Sequence, residues 1–359
     1  MGSPHHEFAL SLHGGLPGGG NFVWSPYSVA SALGVASAGA RGRTYEELAA
    51  ALAPGGDLGD LGRELARAAR LDHAEIAVAN DLWTQSGLGF RAEFQKAVLG
   101  WPGGALHDAD LGGDPEGSRR EINRQVEETT RSLIKDLIPA GSITAETVAV
   151  IVNAIYLKVA WLRPFGRNAT APAAFRAPSG TRQVPTMRQA ERMGHAAGHG
   201  WRLATLGTGS EVLVDVLLPD GDLAEAERGL TADVLGALYS ASSHVKLDLA
   251  LPRFRIEGEA VLNGALRALG VEAAFGRDAD FSGITADGGL WIDQAIHKAV
   301  LDVDEEGFEG AAATALVMRA VAFVPEDDPV PFVVDRPFLV IVRHAVTGAV
   351  YFMARVVEP

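Results

Sequence analysis

His195 and His199 stand four residues apart, the spacing at which two imidazoles on one helix face can hold zinc. The residue after His195 is Ala196 rather than a glutamate base, and Gly194, Gly198 and Gly200 argue against a helix there. The pair reads as structural, and no metal is expected. Gly14 to Gly20 has the glycine density of a phosphate loop but lacks its lysine and hydroxyl and follows no strand. No G-x-S-x-G elbow occurs. The chain has no cysteine, which excludes disulfides, thiol catalysis and cysteine-ligated zinc. The acidic pairs Glu305-Glu306 and Asp327-Asp328 lack an obvious partner. Neither an enzyme nor a cofactor is expected.

The stretch from Asp304 to Pro331 is more informative: D-E-E-G-F-E-G-A-A-A-T-A-L-V-M-R-A-V-A-F-V-P-E-D-D-P-V-P. Read with a period of two, one face holds Phe308, Gly310, Ala312, Thr314, Leu316 and Met318, with no charge. The other holds Glu309, Ala311, Ala313, Ala315, Val317 and Arg319, charged only at its ends. Such a segment could lie in a sheet with one face buried. Alanine is also the best helix former, although Gly307, Gly310 and the want of a polar cap weaken a helix. Local propensity leaves both open.

The 359 residues are 47% hydrophobic and 21% charged. They contain no linker, low-complexity tail or fixed repeat, so residues 1–359 are expected to form one domain. A net charge of −14 repels phosphate backbones, so no nucleic-acid partner is expected. The stripe Arg63, Arg67 and Arg70 is interleaved with Glu64 and Asp72 and reads as a solvated helix face. No apolar run approaches the ~18 residues of a membrane span, and no membrane partner is expected. The opening Met1-Gly2-Ser3-Pro4-His5-His6 lacks a signal-peptide core. The chain as written reads as cytoplasmic, or as extracellular where a leader has been removed.

Ser25-Pro26 is a strong helix start, and Val29 to Ala40 is small and apolar enough for a buried helix. Thr44 and Glu47 form a capping box before a second helix. Residues 61–71 and Phe90 to Leu99 read as further helices. Glu116 to Ile138 keeps a helical spacing until Pro139 and Gly141 stop it. Val148 to Leu157 is β-branched and apolar on both faces, as at the centre of a sheet. Further strands are expected over 75–83, 212–218, 244–254 and 290–304, and in a closing pair over 338–342 and 350–356. Helices early and strands late, without strict alternation, make the class α+β.

Over essentially its whole length the chain resembles the serpin family, and its alanine-rich style resembles that of bacterial members. The likeness is carried, in order, by Asn21-Phe22-Val23-Trp24-Ser25-Pro26-Tyr27-Ser28 and Ile134-Lys135-Asp136-Leu137-Ile138-Pro139. Next come Val152-Asn153-Ala154-Ile155-Tyr156-Leu157-Lys158 with Trp161, and Ala279-Asp280-Phe281-Ser282-Gly283-Ile284. Ala295-Ile296-His297-Lys298-Ala299, Asp304-Glu305-Glu306-Gly307 and the closing Phe352-Met353-Ala354-Arg355-Val356-Val357-Glu358-Pro359 complete it. The resemblance implies a large, mostly antiparallel central sheet, two smaller sheets, eight or nine helices and a mobile reactive-centre loop over about 305–330. It implies a monomeric inhibitor of serine proteases of the chymotrypsin or subtilisin type. Such an inhibitor is a suicide substrate. The protease attacks the loop, an acyl-enzyme forms, and the cut loop inserts as a new strand and traps its partner in a covalent complex. A non-inhibitory carrier or chaperone on the same fold is the alternative.

By the same resemblance the hinge is Glu305, Glu306, Gly307, Phe308, Glu309, Gly310, Ala311, Ala312 and Ala313. Fourteen residues beyond Gly307 the scissile bond falls at Val321-Ala322, with Arg319 and Phe323 as alternatives. Ser25, Ser28, Asn153 and His297 make a polar shutter beneath the sheet centre. Ser25 is equally a helix cap, whereas Asn153 interrupts an apolar strand and requires buried partners. Trp161 covers the insertion point, the breach, where Glu305 pairs with Arg253. Inhibitory members carry threonine after the hinge glycine and alanine two positions later. Phe308 and Gly310 stand there instead, so a bulky ring must enter the sheet first.

Overall fold

The computed structural model describes residues 3–285, 289–308 and 328–359. Two sheets and, among the described residues, nine α-helices make an α+β fold. The central sheet runs in the order Phe254–Val261, Gln294–Val303, Gly307–Phe308, Ala149–Ala160, Glu75–Gln85 and Gly104–Ala109. Its pairings are antiparallel except for two, between Gln294–Val303 and Ala149–Ala160 and between Glu75–Gln85 and Gly104–Ala109.

Strand Ala149–Ala160 is apolar on both faces because both are covered. Ile151, Ile155, Leu157 and Val159 enter the larger core, while Val150, Val152 and Ala154 enter a second core on the opposite face. Helix Pro26–Gly39 fills the first face with Val29, Ala32 and Leu33. Its start is as expected: Ser25 Oγ accepts from Ser28 N at 3.0 Å, and Pro26 opens the first turn. Helix Pro115–Thr129 brings Ile122 and Val126 to the second face.

The other strands form one nine-stranded sheet. The two smaller sheets expected beside the central one are continuous through the 19-residue strand Gly180–Gly198. It pairs with Ala171–Ala177 and Ser243–Pro252, and at its far end with Trp201–Gly207. His195 lies in this strand, its Nδ1 2.7 Å from Leu203 O, and His199 sits in the tight turn that follows, at φ 54°. Among the described residues no three His, Cys, Asp or Glu side chains gather as a metal site. No helix there is long and apolar enough to cross a membrane.

Thr44 and Glu47 do not form a capping box. Both lie inside helix Gly42–Leu52, and tertiary contacts recruit them. Thr44 Oγ1 accepts from Asp280 N at 2.9 Å, and Glu47 Oε2 from Glu272 N and Ala273 N at 2.8 and 2.7 Å. The helix expected to reach Ile138 stops at Thr129. Thr130 Oγ1 accepts from Ile134 N at 3.2 Å, and Arg131 and Ser132 turn left-handed at φ 50° and 63°.

Candidate functional site

Strands Ala149–Ala160 and Gln294–Val303 lie side by side but pair directly only from Val150↔Gln294 to Ala154↔Lys298. Above that row the chain itself stands between them. After Val303 it turns through Asp304, Glu305 and Glu306 and returns as Gly307–Phe308. This two-residue strand pairs with Val303 on one side and with Ala160 and Val159 on the other. The sheet is therefore forked, with Gly307–Phe308 seated in the fork. Gly307 is required there: its φ is 146°, and a Cβ would lie 2.2 Å from Val159 O.

The turn is held from within and from the segment that follows Ala160. Asp304 Oδ1 accepts from Glu306 N at 2.8 Å and Gly307 N at 3.2 Å. Trp161 donates through Nε1 to Asp304 O at 2.8 Å and through its backbone to Glu306 O at 3.0 Å, while Phe165 N donates to Glu305 O at 2.9 Å. The Trp161 ring, buried, lies 5.3 Å from the ring of Phe308 and 6.1 Å from that of Phe165. Phe308 is only 2% exposed, so the ring expected to enter the sheet is already seated between the strands, against Trp161.

Glu305 is buried, and its shorter partner is Thr170, whose Oγ1 donates at 2.6 Å. Arg253, the expected partner, stands half-exposed at 3.6 Å. Arg167 pairs with Glu306. Burial alone would raise the Glu305 carboxyl; the Thr170 bond and the charges of Arg253 and Arg167 outweigh it and hold the group below the usual carboxylate range.

Beneath the fork a polar row crosses three strands. Asn80, Asn153 and His297 are register partners. His297 Nε2 accepts from Ser25 N at 2.9 Å, so its hydrogen is on Nδ1, which donates to Asn153 Oδ1. Asn153 Nδ2 donates to Asn80 Oδ1 at 2.7 Å, and Ser28 Oγ to the same oxygen at 3.1 Å. Asn80 Nδ2 ends the chain on Pro102 O at 2.7 Å. All five side chains are buried, and burial pushes the His297 imidazole down to about 3, so it is neutral.

Ser25, Ser28, Asn153 and His297 are thus brought together, as are Trp161, Arg253, Glu305, Glu306, Gly307 and Phe308. Glu309, Gly310, Ala311, Ala312, Ala313, Arg319, Val321, Ala322 and Phe323 lie outside the described residues. Sequence reasoning missed Asn80 and Thr170. Asn80 carried a weak signal: it is an amide that follows the apolar run Ile76 to Ala79, but Asp81 and Thr84 stand in the same strand, so it does not single itself out as Asn153 does. Thr170 carried none, since its partner is 135 residues away.

A fold of this kind, with a two-residue strand lodged in a split sheet over a buried polar row, defines a class of proteins. A sequence model described as "Serpin (serine protease inhibitor)" matches residues 5–359, and the chain belongs to the serpin family. An uncharacterized serpin-like protein of Thermococcus kodakarensis is 32% identical, the match covering 99% of this chain and 84% of that protein. The leukocyte elastase inhibitor of Sus scrofa is 30% identical over 100% of this chain and 99% of its own. Among solved structures, thyroxine-binding globulin in complex with thyroxine superposes with a TM-score of 0.87 at 26% identity, covering 99% of this chain and 98% of that one.

Proposed function

We propose that this chain is an inhibitory serpin, a suicide substrate for a serine protease of the chymotrypsin or subtilisin type. The observation that carries the reading is the seat of Gly307–Phe308 between two strands whose direct contact is short. Cleavage of the loop beyond it frees the segment to continue downward, exchanging a five-row parallel contact for two full ladders. At roughly 1 kcal/mol net per hydrogen bond and a few per buried apolar side chain, full insertion is worth on the order of 10 kcal/mol or more. The uncleaved fold is then a kinetic trap.

In this reading Ser25, Ser28, Asn153 and His297, joined through Asn80, resist parting of the strands. Trp161, Arg253, Glu305 and Thr170 hold the entry. The scissile bond is Val321-Ala322, with Arg319 or Phe323 as alternatives, and a small β-branched side chain suits elastase-like pockets. The elastase inhibitor named above, aligned end to end, supports an inhibitory role. Incubation with elastase-, trypsin-, chymotrypsin- and subtilisin-type proteases, followed by a denaturing gel, tests it. A band at the summed mass is expected with one of them. Clean cleavage by all, with no such band, favours the second reading, a serpin-fold carrier. The structural likeness to thyroxine-binding globulin supports that reading.

A further inference from the structure

A cleft of about 260 Å³ that shares no lining residue with the fork lies beside the end of helix Pro4–Gly14 and the strand Val350–Val356. Leu16, Leu223, Pro178, Pro337 and Val357 give it apolar walls; His13, Glu227 and Arg355 give it a polar one.

The hydrogens of the polar wall can be assigned from one contact. Trp24 Nε1, which can only donate, lies 3.1 Å from His13 Nδ1. His13 therefore accepts there and is neutral, in keeping with its burial, and its own hydrogen sits on Nε2, 3.0 Å from Glu227 Oε1. Arg355 donates through Nε to both Glu227 oxygens at 2.8 Å and through Nη1 to Pro17 O at 2.9 Å. Nη2 remains. His13 Nε2 lies 3.5 Å from it but is itself a donor, so that contact is not a hydrogen bond. A guanidinium nitrogen on a side chain only 8% exposed is thus left without an acceptor among the described residues.

We propose that this cleft binds a small carboxylate with an apolar body. The carboxylate is the acceptor that Arg355 Nη2 lacks, and the body packs against Leu16, Leu223 and Val357. Arg228, which lines the cleft and makes no side-chain ion pair among the described residues, supplies a second cation. The two acids nearby are already engaged: Glu227 by Arg355 and His13, Asp222 as a helix cap accepting from Glu225 N at 3.0 Å. The volume is below the ~300 Å³ at which drug-sized pockets begin, which restricts the body to a short alkyl chain or a single ring.

Octanoate and octan-1-ol, titrated into the full chain by calorimetry and thermal melting, test this. A ligand that binds the native state alone raises the melting temperature. Saturable octanoate binding is expected, with octanol at least about tenfold weaker because only the carboxylate makes a charge-assisted bond. Gly18→Phe should abolish binding while leaving the free protein's melting unchanged, since a side chain at Gly18 begins in open space at the cleft. Arg355→Lys should weaken octanoate alone. The proposal is overturned by the absence of saturable octanoate binding, by equal affinity for octanol, or by full binding in Gly18→Phe. Protease trapping enters none of these measurements.

Discussion

His297 donates from Nδ1 to Asn153 Oδ1 across parallel strands, one row below the point where those strands part. The bond therefore ties the two edges of the fork where separation would next proceed. Removing it leaves buried donors and acceptors without partners. Asn153→Ala should destabilise the native state by about 2–4 kcal/mol, counting the stranded His297 and Asn80 groups. It should also speed spontaneous conversion to an inserted form on mild heating. Melting curves and a time course on native gels check this; unchanged values in both would show that the row does not govern opening.

The same imidazole sets a pH dependence. Its folded value, pushed down to about 3, lies below the ordinary ~6.5 of an unfolded histidine. Between those values the unfolded chain binds a proton that the folded one refuses. Its contribution to stability is therefore complete above ~6.5 and lost as pH falls toward about 3, at about 1.4 kcal/mol per pH unit. His5, also held at about 3 by burial, adds a parallel loss. Unfolding free energies of His297→Gln should therefore fall less steeply from pH 6.5 to 4 than those of the parent, by one proton's slope. Equal slopes would place a charged His297 in the native state.

Phe308 sits under Trp161 in the uncleaved protein, so a charge at that position has nowhere to go. Phe308→Arg should expel the hinge, because an unpaired guanidinium cannot be buried there. Trp161 would lose the nearer of its two ring partners, and tryptophan fluorescence should shift to the red. Against a matched protease the variant should be cut without trapping it. Trapping with unchanged stoichiometry would mean that Phe308 need not re-enter the sheet.

Cutting the loop toward its C-terminal end should raise the unfolding temperature, since the freed segment can join the fork. A nick in an ordinary exposed loop gives no such gain. An equal or lower melting temperature after complete cleavage would falsify the insertion mechanism. Mass spectrometry of the released fragment locates the bond: an N-terminus at Ala322 is expected, and any other start defeats that assignment.

Thr170→Val removes the hydroxyl that donates to buried Glu305 while keeping its shape. The carboxylate then depends on the longer Arg253 contact, and the turn should loosen by about 1–2 kcal/mol. Faster limited proteolysis near residues 304–308 is the expected readout. An unchanged rate would show that the Thr170 bond does not hold the turn.

Much of this protein is legible from residue type and local order. The strand Ala149–Ala160 announces itself because apolar β-branched residues on both of its faces can be stable only between two covered layers. Ser25-Pro26 starts a helix by local chemistry, and the order of short motifs along the chain placed it in its family. Tertiary structure alone decided the rest. Thr44 and Glu47 could have capped their own helix, yet backbone amides more than 200 residues away take their oxygens. Thr170 became a partner of buried Glu305 through a contact 135 residues distant in sequence, and strand register made Asn80 the hub of the buried row. The free nitrogen of Arg355 exists only because Trp24 fixes a histidine tautomer on a neighbouring element. Hydrogen-bond partners are chosen by proximity in space under the penalty for burying an unpaired polar group, and a linear pattern carries no record of which distant acceptor will arrive.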